Sequence, residues 1–201
     1  MARSTYHHGD LRRALVGAAL GLVRAGGPSA VTLRGVARHL EVSPAAIYRH
    51  FPDREALLAE VGRIARQDLA QRMLTEVERV DTPTRRSRSV RRFLALGRGY
   101  LGFADEEPNL LAAAFYPVAI PDGHDEQPNP WALLAAALDE LVASGAMPRA
   151  RRPGAEAVAW STVHGFALLR AGRAFEVSGD PDPDGEAVLE SITRALGITA
   201  I

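Results

Sequence analysis

The side chains with the most specific chemistry lie between Thr32 and Phe51, in the run TLRGVARHLEVSPAAIYRHF. A guanidinium such as that of Arg49 can set two parallel N–H donors against the O6 and N7 acceptors of a guanine edge. The methyls of Ala45 and Ala46 suit close approach and contact with thymine methyls. Tyr48 and His50 carry donors that match phosphate oxygens. Thr32, Arg34, Ser43 and Pro44 fall at helix starts, where unpaired backbone N–H groups attract anions. Upstream, Arg3 and the Tyr6-His7-His8 arm supply further backbone or minor-groove candidates. Residues of these types, so spaced, belong to a surface that meets a phosphate backbone and reads base edges.

Other chemistries are thinned out by what the sequence lacks. There is no cysteine, so no disulfide, thiolate nucleophile or Cys-ligated metal is possible. All 24 basic side chains are arginine, which removes the lysine that a Walker-type phosphate loop or a Schiff base requires. His7 and His8 have no third ligand at helical spacing, and no metal or other cofactor is expected. Gly97-Arg-Gly-Tyr-Leu-Gly102 matches the dinucleotide pattern GxGxxG. That pattern has meaning only where a strand turns into a helix, and here it falls inside a 3.6-residue period, where small residues serve close helix contact. An all-helical enzyme would need a convergent acid, base or nucleophile, whereas Glu, Asp and His are scattered, so no catalytic residue is assigned. A helical scaffold would account for the C-terminal half but leave the basic N-terminal segment without a purpose.

The 201 residues are 47% hydrophobic and carry no net charge. That is enough apolar material for one large core or two small ones. Residues 1–54 nevertheless hold eight arginines against Asp10, Glu41 and Asp53, an excess of five positive charges that the remainder balances with five negative. A basic module joined to an acidic body suits a chain that touches phosphates with one end. No apolar run approaches the roughly 20 residues that span a bilayer, and the N-terminus lacks a signal peptide's apolar stretch. No membrane association and a cytoplasmic location are therefore expected.

The elements that must position these residues read as helices throughout. Leu11, Leu15, Ala18, Ala19 and Leu22 give a first helix over 10–25, stopped by Gly26-Gly27-Pro28. Thr32 caps a second helix with Leu33, Val36, Ala37 and Leu40 inward, Glu41-Val42 turns, and Ser43-Pro44 opens a third that Pro52 ends. On this third helix Ile47 and Phe51 face inward, while Ala45, Tyr48 and Arg49 share the other side. Asp53 caps a long fourth helix to about Val80. Helical periods then recur over 90–104, 108–115, 131–142, 153–175 and 184–197, with a proline-rich loop over 117–130. Residues 155–175 are apolar nearly all round, which predicts a partner subunit against one face.

A capped helix, a short turn, a second helix ending Ile47-Tyr-Arg-His-Phe51, and a long Asp-capped helix opening Arg54-Glu-Ala-Leu-Leu58 resemble the TetR family of transcriptional regulators over residues 10–70. Trp160, His164 and Gly165 resemble the Trp-His-Gly effector domain found in TetR-like regulators. The resemblance implies an all-α fold of about nine helices. Residues 1–54 would form a three-helix helix-turn-helix DNA-binding domain, and residues 55–201 a helical effector-binding and dimerisation domain. It further implies a homodimer on a double-stranded DNA operator, acting as a repressor released by a small apolar or weakly polar effector. Tyr100, Phe103, Phe115, Trp131, Trp160 and His164 are the candidate lining of that effector's pocket.

Overall fold

Helix boundaries follow from capping chemistry that can be read residue by residue. The computed structural model describes residues 8–117, 129–178 and 184–199. The expected arm contacts of Arg3, Tyr6, His7 and the His8 side chain, most of the proline-rich segment and the 179–183 linker lie outside the described residues. Among the described residues all regular structure is helical, as the periods predict, with ten α-helices and two short 3-10 turns.

These are α1 (His8–Gly26), α2 (Leu33–His39), α3 (Pro44–Tyr48), α4 (Arg54–Glu78), α5 (Arg85–Glu106), α6 (Pro108–Ala114), α7 (Pro130–Ala143), α8 (Ala155–Ala171), α9 (Ala174–Ser178) and α10 (Gly185–Leu196). The tenth helix arises because the single helix expected over 153–175 is two. Gly172 closes α8, its N–H bonded to the Leu168 carbonyl at 2.9 Å, and Arg173 turns the chain with a left-handed φ of 56°. No helix among the described residues is long and apolar enough to cross a membrane.

The chain divides into two compact units, Met1–Arg66 with Asn109–Glu126, and Gln67–Pro108 with Gln127–Ile201. The division between the units falls within α4.

In the first unit, three oxygen caps start the helices that matter. Thr32 Oγ1 accepts from Gly35 N–H at 3.0 Å, Ser43 Oγ from Ala46 N–H at 3.3 Å, and Asp53 Oδ1 from Ala56 N–H at 2.7 Å. Each satisfies a donor that the helix cannot, a stabilisation of about 1 kcal/mol. Between α2 and α3, Glu41 takes a φ of 55°, which lets the turn be short. Leu15, Ala19 and Val23 of α1 are fully buried in this unit's core, as are Val36 of α2, Ile47 of α3 and Leu57 and Val61 of α4.

The second unit is organised around α5, which packs on α7, α8 and α10. Its glycines answer the GxGxxG pattern with a structural cause. A Cβ on Gly99 would lie 2.6 Å from the Met73 Cα on α4, so only hydrogen fits. A part-buried hydrogen bond of 2.7 Å between Ser89 and Ser144 ties α5 to the end of α7. Leu189 of α10 is 2% exposed and packs on α5, whereas α8 keeps apolar surface in the open. There Val158, Leu168 and Leu169 are 40%, 47% and 50% exposed.

Candidate functional site

The short helix α3 displays its residues in two sets. Ile47 and Phe51 are buried, as their i, i+4 spacing predicts, and the Arg12 guanidinium lies 5.1 Å above the Phe51 ring. Opposite them, Ser43, Pro44, Ala45, Tyr48 and Arg49 are exposed, and on α2 so are Thr32 and Arg34. The two alanines part company: Ala45 is exposed, while Ala46 is buried beside Ile47, so Ala45 is the one with a methyl at the surface. His50 is half-buried.

Helix α3 is also shorter than the sequence suggests. Regular helix ends at Tyr48, Arg49 caps it, and the N–H groups of His50 and Phe51 both donate to the Ile47 carbonyl at 2.9 Å. That shared acceptor tightens the last turn. Thr32, Arg34 and Tyr48 line one open hollow together with Leu33, Pro52, Asp53 and Arg54. The hydroxyls of Thr32 and Tyr48 and the guanidinium of Arg34 stand at this hollow beside the Asp53 carboxylate.

Arg54, which opens α4, has contacts of its own. Its Nε–H donates to the Val31 carbonyl and its Nη2 to the Pro28 carbonyl, both at 2.8 Å, and its Nη1 donates to the Tyr116 hydroxyl at 3.3 Å. No sequence pattern announces such a contact, because its acceptors are backbone carbonyls and its phenol lies far along the chain.

In the second unit a narrow cavity of ≈ 30 Å³ is lined by Met73, Phe93, Leu96, Gly97, Tyr100, Leu134, Ala159, Trp160, Val163, Leu189 and Ile192. Two of the six expected lining residues, Tyr100 and Trp160, meet there, their rings edge to face at 5.5 Å. His164 stands behind Tyr100, with Nδ1 2.5 Å from the hydroxyl oxygen. Burial pushes the Tyr100 hydroxyl up and His164 down from their ordinary pKa values, which favours the neutral form of both. Trp131 packs on Trp160 at 5.5 Å but is 48% exposed. Phe103 is buried outside the cavity lining, and Phe115 belongs to the first unit. The aliphatic lining from Leu96, Leu134, Val163, Leu189 and Ile192 was not singled out. The inward period of these helices carried that signal, but it looks the same for any packed core.

Residues 15–61 match the family model described as bacterial regulatory proteins, tetR family, and residues 93–196 match that of the tetracyclin repressor-like C-terminal domain. A Rhodococcus sp. RHA1 protein of unknown function is 29% identical in a superposition covering 96% of this chain and 99% of that one, with a TM-score of 0.75. A bacterial regulatory protein in the tetR family from Rhodococcus RHA1 superposes with a TM-score of 0.64 at 16% identity, covering 98% and 100% of the two chains. The Streptomyces coelicolor transcriptional regulator SCO7222, a TetR, gives 0.60 at 20% identity, with 92% and 95% covered. No curated protein sequence matches the chain. Two family models that between them take in the helix-turn-helix and most of the second unit establish that the chain belongs to the TetR family of DNA-binding transcriptional regulators.

Proposed function

We propose that residues 1–54 read a pseudo-palindromic operator as half of a homodimer, and that a small uncharged or weakly polar molecule bound by residues 55–201 releases the DNA, which makes the protein a repressor. The observation that carries the reading is the row of exposed Thr32, Arg34, Ala45, Tyr48 and Arg49 over the buried anchors Ile47 and Phe51. Arg49 and Ala45 are assigned to base edges. Thr32, Arg34, Ser43, Pro44, Tyr48 and His50 are assigned to the phosphate backbone, and Ala46 supports the close approach of α3. One helix-turn-helix buries too little surface for useful specificity, so two half-sites one DNA turn apart are needed. The work is binding rather than catalysis, in the cytoplasm.

The effector enters the second unit where Tyr100 and Trp160 line the cavity, with His164 as its polar anchor and Trp131 at its edge. At ≈ 30 Å³ the cavity is far smaller than the roughly 300 Å³ at which small-molecule sites begin, so the effector binds a minor, opened form. Helix α4 contributes residues to both units and is the covalent route for the signal. DNA and effector must then weaken each other's binding by the same factor.

The test is fluorescence anisotropy with a duplex that the full-length chain selects from a random-sequence pool, titrated at several salt concentrations. Specific binding that steepens as salt falls is expected. Binding without sequence preference defeats the reading. Apolar compounds that quench Trp131 and Trp160 emission should release the duplex, and quenching without release overturns the effector half.

A further inference from the structure

Arg54 lines the same hollow as Thr32, Arg34 and Tyr48, where a cation would ordinarily be assigned to a phosphate. Its guanidinium is engaged with the protein instead. Three of its five N–H donors go to the carbonyls of Pro28 and Val31 and to the Tyr116 hydroxyl, and its carbon lies 5.5 Å from the centre of the Tyr116 ring. The side chain is 26% exposed. Pro28 and Val31 belong to the segment that delivers the chain from α1 to Thr32, whose hydroxyl caps α2. One planar fork thus fixes where α2 starts, a task a lysine's point charge cannot repeat.

Tyr116 follows α6, and the segment 109–116 is fastened at two more places in the same unit. Asn109 Nδ2 donates to the Arg24 carbonyl at 2.9 Å, at the end of α1, and Arg66 Nη1 donates to the Ala114 carbonyl at 2.7 Å. A shift of this segment would therefore pull on Arg54, and through Arg54 on the two carbonyls ahead of Thr32.

The geometry points to Arg54 as a positioning residue for DNA recognition rather than a phosphate ligand. With Tyr116 it forms a latch through which residues 109–116 set the start of α2 and so the affinity for DNA. This inference rests on the reading of Thr32–His50 as the DNA interface.

The experiment uses full-length Arg54→Lys, Arg54→Gln, Tyr116→Phe and the Gln/Phe double variant, each checked for folding by circular dichroism, on the duplex selected by the wild-type chain. Loss of a fork of bonds from a charged group should weaken binding about tenfold or more in both Arg54 variants, with the salt slope of the wild type. Tyr116→Phe should cost about threefold, and nothing further once Arg54 is Gln. A phosphate ligand would behave otherwise. Arg54→Lys would then bind nearly as the wild type, and Arg54→Gln would lower the salt slope by about one, and either result overturns the latch. Folded variants that all bind like the wild type reduce the contacts to fold stability and also overturn it. If Arg54→Gln does not fold, Arg54→Lys and Tyr116→Phe decide alone. A wild-type chain that selects no duplex removes the DNA interface itself and the latch with it, whereas selection by the wild type with indifferent variants removes only the latch.

Discussion

Gly97 on α5 lies so close to Leu189 on α10 that a Cβ added to it would fall well inside 3.0 Å of the leucine Cδ2. Leu189 is 2% exposed, so the clash has to be taken up by the leucine side chain turning into the small cavity that both residues line. Gly97→Ala should lower stability by about 1–3 kcal/mol through overpacking. In a Leu189→Ala background the same change should cost almost nothing. Thermal melts of the four chains measure the coupling, and additive losses would show that the close approach is not the cause.

Arg49 and Arg34 should fail in different ways. Arg49→Ala removes a candidate for guanine recognition and should flatten the preference between the selected duplex and its mismatched variants, at about 1–3 kcal/mol for the base concerned. Arg34→Ala should weaken all duplexes alike and make the salt slope shallower by about one. Competition binding at two salt concentrations separates the two. Equal loss on every sequence from Arg49→Ala would move that residue to the backbone set.

How far the sequence reached depended on whether a feature is local. The caps at Thr32, Ser43 and Asp53 and the inward pair Ile47 and Phe51 were legible because they depend on residues three or four positions apart. The break at Gly172 was missed because apolar residues resume beyond it at Ala174 and Phe175, and a non-glycine residue, Arg173, takes the left-handed turn. The cavity was only half legible. Tyr100 and Trp160 attract notice as aromatics, whereas Leu134, Val163 and Ile192 become lining only once five helices are brought together. Ala46 looked the same as Ala45 until the helix was oriented, and Arg54 was legible as the opening of α4 but not for its contacts, because its acceptors are backbone atoms and a distant phenol.

Charge on the apolar face of α8 should give monomers. Val158, Leu168 and Leu169 expose 40–50% of their surface, which two subunits can bury against each other. Leu169→Glu should therefore sediment as a monomer with its helix content kept, and should lose DNA affinity because one half-site no longer recruits the other. Leu189→Glu should behave differently: buried on α5, an unpaired carboxylate there should unfold the second unit. A dimeric Leu169→Glu chain would place the subunit interface elsewhere.

The pH dependence of stability between neutrality and pH 5 should trace to His164. Burial lowers its pKa below the ordinary 6.5, and its Nδ1 shares a hydrogen bond of 2.5 Å with the Tyr100 hydroxyl. The sign follows from which state holds the proton more tightly. Between the folded and the ordinary value the unfolded chain is protonated and the folded one is not, so lowering the pH through about 6.5 favours unfolding. Above that pH the group is neutral in both states and contributes no slope. Glu60 and Glu186, held below the ordinary carboxylate value by their arginine partners, lose their contribution only at lower pH, beneath 4.5, so they do not confound this window. Wild type and His164→Gln should therefore melt with a constant difference above pH 7. The wild-type melting temperature should fall faster as the pH drops from 7 to 5. Parallel curves across that range would mean that another histidine carries the dependence and that the Tyr100–His164 bond survives protonation.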